Sequence, residues 1–99
     1  LNVRENMNPA EFPDFTNKLL TVHVASGQHN YIVFSPVFRL QAGRWFLVGN
    51  TPKGVSTGDW DQSIEVALAW DQVSAYRVFD STEHYVERYA KFREFRQKP

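Results

Sequence analysis

Ser63–Asp80 reads SIEVALAWDQVSAYRVFD, and the spacing of its apolar residues decides the fold. Ile64, Val66, Leu68 and Trp70 occupy alternate positions, with Glu65, Ala67 and Ala69 between them. Successive side chains of a strand point to opposite faces, so this spacing predicts a strand with one buried face. Asp71 and Gln72 interrupt the run, and VSAYRVFD resumes as a second strand. The interruption is too short for a full loop, so a tight corner redirects the chain.

The same period extends toward the N-terminus. In LLTVHVAS, Leu20, Val22 and Val24 point one way, Thr21 and His23 the other. SGQHN is a turn. YIVFSPVFRL is strand-like but broken at Ser35-Pro36. Proline lacks a backbone donor, so a bulge, an edge or a sharp bend is expected there. QAG turns again, and RWFLVG is a strand.

Gly49 opens GNTPKGVSTGDWD, where Gly49 and Gly54 have the spacing of a phosphate-cradling loop. That motif requires Lys after the second glycine and a helix beyond it. Position 55 is Val, and Asp59 and Asp61 add negative charge instead. Residues 50–62 therefore read as a long hairpin loop, built from ordinary turn residues.

Helical signals lie at the two ends. In NPAEFPDFTNKLL, Asn8, Pro9 and Glu11 match a helix start, and Phe12, Phe15 and Leu19 share a face. Pro13 limits this to one or two turns. Residues 1–8 read as a flexible polar lead-in. From Asp80, a cap with Glu83 three positions on opens a helix over 82–96. Tyr85, Val86, Tyr89, Phe92 and Phe95 form its apolar stripe, Glu87 precedes Lys91 by four, and cations gather late.

Composition bounds the rest. Ninety-nine residues suit one domain, here 9–99, with one modest core. Aromatic residues make up 15% of the chain, which favours a packed core over disorder. Eleven cations balance eleven carboxylates, so no global field draws in nucleic acid or an anionic membrane. The absence of cysteine excludes disulfides, thiolate zinc and a cysteine nucleophile, and fits a reducing, cytoplasmic setting. No apolar run approaches the ~20 residues that span a bilayer.

The fold expected is mostly β (α+β): a bent, antiparallel, five-stranded SH3/Sm-like barrel with a short N-terminal helix and a C-terminal amphipathic helix. Its expected core is Leu20, Val22, Val24, Phe38, Leu40, Trp45, Leu47, Ile64, Val66, Leu68, Trp70, Val73, Tyr89 and Phe92. The segments FSPVFRLQAGRWFLVGN and IEVALAWDQVSAYRVF also resemble the core of WYL domains. The likeness is carried by Pro36, Leu40, Gly43, Arg44, Trp45, Leu47, Val48, Leu68, Asp71 and Val73. Phe46 stands where that family has tyrosine, and Gln72 where it has arginine. The resemblance implies an Sm-like barrel and a link to ligand or nucleic-acid sensing.

Little in the chain points to chemistry. His23, His29 and His84 make no i, i+4 pair, so they read as surface histidines, and no metal or cofactor is implied. Asp59, Asp61 and Glu65 lack the spacing of a calcium loop and read as solvated charge. Asp71 and Asp80 read as turn or cap residues. No nucleophile is paired with a base, so the chain reads as no enzyme. Two roles remain. One is a non-catalytic module acting through self-assembly or a protein partner, with exposed strand edges pairing between subunits. The other binds single-stranded nucleic acid or a nucleotide through Tyr31, Arg39, Arg44, Lys53, Trp60, Tyr76 and Arg77.

Overall fold

A computed structural model describes residues 11–27 and 30–97. The polar lead-in, the Asn8-Pro9 helix start and His29 lie outside the described residues. The elements are β1 (Leu19–Val24), β2 (Asn30–Gln41), β3 (Arg44–Asn50), β4 (Glu65–Ala69), β5 (Val73–Phe79) and α1 (Thr82–Gln97). The five strands form one sheet in the order β4-β3-β2-β1-β5, with every neighbouring pair antiparallel. The five strands expected from the sequence are all present, and α1 covers the helix expected over 82–96.

Local chemistry explains the connections. Ala42 (φ 50°) and Gly43 (φ 79°) are both left-handed and join Gln41 to Arg44. Two such residues match the twist of flanking strands in a two-residue hairpin. At Ser35-Pro36 the β2–β3 register slips by one residue: Phe34 faces Asn50, whereas Val37 faces Val48. Ser35 adopts φ 49° there. The break expected at Pro36 is therefore a bulge inside one long strand.

Gly49 passes directly beneath this bulge. A Cβ built on it would lie 2.5 Å from Val33 Cγ1, 3.0 Å from the Phe34 carbonyl oxygen and 3.2 Å from Pro36 Cα. Its lack of a side chain lets the two backbones meet.

Trp70–Gln72 form a single 3₁₀ turn linking β4 to β5, the two opposite edges of the sheet. A flat five-stranded sheet would place its edges ~19 Å apart at about 4.8 Å per strand. The four residue steps from Ala69 to Val73 reach at most ~14 Å. The sheet must therefore curl at this corner. Arg44 on β3 fastens the turn, with Nη2 2.6 Å and Nε 3.3 Å from the two carboxylate oxygens of Asp71. Asp71, expected as a turn residue, thus also ties the corner to the sheet. Among the described residues no ladder joins β4 to β5, so the sheet is open.

The core lies on one face of the sheet. Leu20, Val22, Val24, Val33, Leu47, Leu68, Trp70 and Val73 are buried there with Phe15. A chain of aromatic contacts continues it: Phe12 stacks on Phe38 at 4.2 Å and meets Trp45 edge-on at 5.0 Å, and Phe38 meets Trp70 at 5.0 Å. Phe15 touches Phe38 and Tyr76.

The N-terminal helix is not seen in the described part of its span. Residues 11–18 form an irregular segment instead. Pro13 supplies no amide, and Asp14 Oδ1 accepts hydrogen bonds from both the amide (3.0 Å) and the hydroxyl (2.6 Å) of Thr16. A side chain that captures the amide two residues on favours a turn over a helix. These two bonds, the hydroxyl's first, hold the Asp14 carboxyl below the usual carboxylate range.

α1 begins as a capped helix, but the cap differs from the expected one. Ser81 Oγ accepts from the His84 amide at 3.0 Å, and Ser81 O accepts from Tyr85 N. Asp80 instead pairs with Lys18 at 3.2 Å, while its amide donates to His84 Nδ1. Phe79 meets His84 and Tyr85 edge-on and anchors the first turn. Beyond that the helix buries nothing. Tyr89 (48% exposed) and Phe92 (51%), both expected in the core, lie largely in solvent. Phe12 and Phe15, not the helix, supply aromatic rings packed on Phe38. Leu40 and Ile64 are also exposed, whereas Phe15, Leu19, Val33 and Val48 join the buried set.

Candidate functional site

The loop after β3 borders a concave surface. Thr51 is buried, and its hydroxyl donates to the Ile32 carbonyl at 3.1 Å. Ser63 N returns to Thr51 O, closing the base of the loop. Inside it, Asp59 Oδ1 accepts from the Gly54 amide at 2.8 Å, and Ser56 donates to Asp61. The Gly54 amide, which a bound phosphate would need, already donates to a carboxylate. Within the loop a 3₁₀ turn follows at Thr57–Asp59, interrupted by left-handed Gly58. The loop is a self-bonded hairpin connection, as its sequence predicts.

This arrangement lifts Trp60 into solvent, 75% exposed, with Ile64 54% exposed nearby. A cleft of about 330 Å³ is lined by both, together with Tyr31, Asp61 and Val66. That volume is at the lower end of ligand-sized pockets, ~300–1,000 Å³.

The seven residues named for nucleic-acid binding do not form one basic track. Tyr31 and Trp60 meet at the cleft. Arg39 pairs with Glu65 at 3.1 Å, and Arg44 is engaged by Asp71 and lies 5.8 Å from the Phe46 ring centroid. Lys53 is exposed in the loop. Tyr76 packs against Phe15 and Trp70 while remaining 41% exposed. Arg77 lies opposite Thr21 across the β5–β1 ladder. It lines a shallow hollow of about 180 Å³ with Thr21 and His23. Two of the five aromatic and basic side chains on the strands thus have a carboxylate partner, a fact that no alternation pattern contains.

The sheet edges form the other available surface. Along β5, Ser74, Ala75, Tyr76, Arg77 and Val78 are all exposed. On β4, Glu65 and Ala67 are exposed. An edge strand carries unpaired amides and carbonyls, and charges or proline are the usual means of blunting it. β5 has one charged residue, β4 has one at its first position, and neither contains proline.

Among the described residues no group of three or more His, Asp or Glu side chains gathers as metal ligands, and no helix is long and apolar enough to cross a membrane. No protein-family model matches the chain, and comparisons with curated proteins and with solved structures give no match either.

Proposed function

We propose that this chain is a non-catalytic, Sm/SH3-like barrel module that acts through self-assembly or a protein partner. Its strand order and the one-turn link between opposite edges support the barrel likeness, which the WYL resemblance also implies. The observation that carries the reading is the pair of lightly guarded edges, β4 and β5. An added strand at either edge would satisfy backbone groups that otherwise face water. Light scattering across a concentration series tests this. Association that Ala67→Lys or Ala75→Lys abolishes supports edge pairing, since both alanines are exposed at mid-strand. A strict monomer at high concentration removes the reading.

A second role, binding single-stranded nucleic acid or a nucleotide, rests on the exposed indole of Trp60 beside Tyr31. Bases stack on such rings with little sequence preference. A salt-titrated assay with random single-stranded RNA and DNA decides it. Charge-driven contact is strongest at low salt, so no binding there rules it out.

A further inference from the structure

α1 extends well past the sheet. It spans 16 residues, ~24 Å at 1.5 Å per residue, in a molecule whose longest dimension is 49 Å against 26 and 23 Å. Only its near side meets the body, where Tyr85, Val86, Tyr89 and Arg93 border a hollow shared with Gly54–Ser56. Toward the far end Phe95 is 76% exposed, and Arg96 lies over the Phe92 ring at 5.7 Å.

Charge on this helix is sorted by face. At ~100° per residue, Arg88, Arg93 and Arg96 fall within about 75° of the mean direction of Tyr85, Tyr89 and Phe92. Glu83, Glu87 and Glu94 fall ~150° or more away. The three arginines thus flank the aromatic direction and every carboxylate of the helix lies behind it, while Phe95 sits about 90° to one side, toward Lys91. Aromatic side chains and arginine are the residue types enriched where proteins bind one another.

The surface of opposite character is the Trp60 cleft. It presents exposed Trp60 and Ile64 with Asp61 at its wall. Asp61 is the carboxylate at the cleft, since Glu65 pairs with Arg39 and Asp59 accepts from the Gly54 amide, whereas 88–97 carries four cations against one carboxylate. Phe95 and Arg96 do not line the cleft of their own chain.

We infer that the exposed far end of α1, with Phe92, Phe95 and Arg96, docks on the Trp60 cleft of a second copy of this chain. Phe95 and Phe92 fill the apolar part, and Arg96 meets Asp61. A back-to-back pairing of two α1 faces is disfavoured, because it would bring like charges together. The contact joins two different patches, so it propagates as a ring or an open chain of copies. It rests on the self-assembly reading and supplies a contact distinct from edge pairing.

Sedimentation velocity on the full chain tests it. Phe95→Ala and Trp60→Ala alter exposed side chains, and each is expected to weaken self-association roughly tenfold or more. Arg96→Glu and Asp61→Lys should each fail to associate alone, while an equimolar mixture of the two recovers association through the reversed pair. Thermal melts of each variant verify folding. Association unchanged in both Phe95→Ala and Trp60→Ala, but lost in Ala67→Lys, overturns this contact and leaves edge pairing standing. The opposite pattern supports the contact and removes edge pairing. A wild-type monomer at all concentrations overturns both. Binding to phosphatidylserine vesicles that Phe95→Ala abolishes and Trp60→Ala leaves intact assigns the face to a membrane and overturns the contact.

Discussion

Gly49 shows how much one missing atom decides. Its backbone passes under the Ser35-Pro36 bulge, where a Cβ would press on Val33 and on the β2 backbone. Backbone atoms cannot swing aside as a long side chain can. Gly49→Ala is therefore expected to destabilise the fold by about 1–3 kcal/mol, the usual cost of overpacking. A fall in denaturation midpoint with an unchanged slope checks it. Sequence alone gives Gly49 two readings, half of a phosphate loop or a turn residue. Neither is its main role, because a close approach between strands depends on their register, which local spacing does not encode. Asp71 is similar: its position beside a corner is legible, but its bidentate partner, Arg44, is 27 residues away.

At the scale of elements, periodicity locates faces but not what they meet. Helix α1 is plain from its capping signals and from Tyr85, Tyr89 and Phe92, yet Tyr89 and Phe92, expected in the core, lie largely in solvent. Its first turn holds it to the body, and two measurements probe that attachment. Ser81→Ala removes the acceptor for the His84 amide and should cost about 1 kcal/mol, read as a lower melting temperature and reduced helicity. Burial chiefly, and then the neighbouring Tyr89, raise the Tyr85 hydroxyl above its ordinary value of 10.0. The folded state thus holds this proton more tightly than the unfolded chain. The resulting stability is present below the unfolded value and is lost as pH rises through the folded one. An ultraviolet difference titration should show one tyrosine ionising late, and Tyr85→Phe should remove that phase. Ile64 marks another limit of periodicity. It shares the alternation of Val66 and Leu68, but its amide donates to Asp61 O in the loop, so it precedes the strand and stays in solvent.

For the molecule as a whole, the open face of the sheet is covered by a segment that has no regular structure. Phe12 and Phe15 reach into the aromatic cluster from an irregular stretch, and Phe15 is only 5% exposed. Deleting a buried phenyl ring costs about 3–5 kcal/mol, a large part of a small domain's stability. Phe15→Ala should therefore leave much of the chain unfolded near room temperature, visible as lost dispersion in proton spectra. Phe12→Ala, at a partly exposed ring, should do less. The five strands and the helix were legible because each is a local pattern. Which segment covers the core was not, because it depends on where the chain's ends are carried by the curl of the sheet.

The place of β1 in the sheet order has a consequence for folding. β1 is made first and lies between β2 and β5, and its ladder with β5 pairs Leu20 with Val78. The β2–β3 hairpin closes over a two-residue turn and can form early, whereas the β1–β5 ladder must close a loop through nearly everything between. Long-range pairings of this kind slow folding, since loop-closure entropy is spent before the contacts form. During synthesis the opening strand keeps its β5 flank bare until Val73–Phe79 has left the ribosome, so this domain completes its fold late.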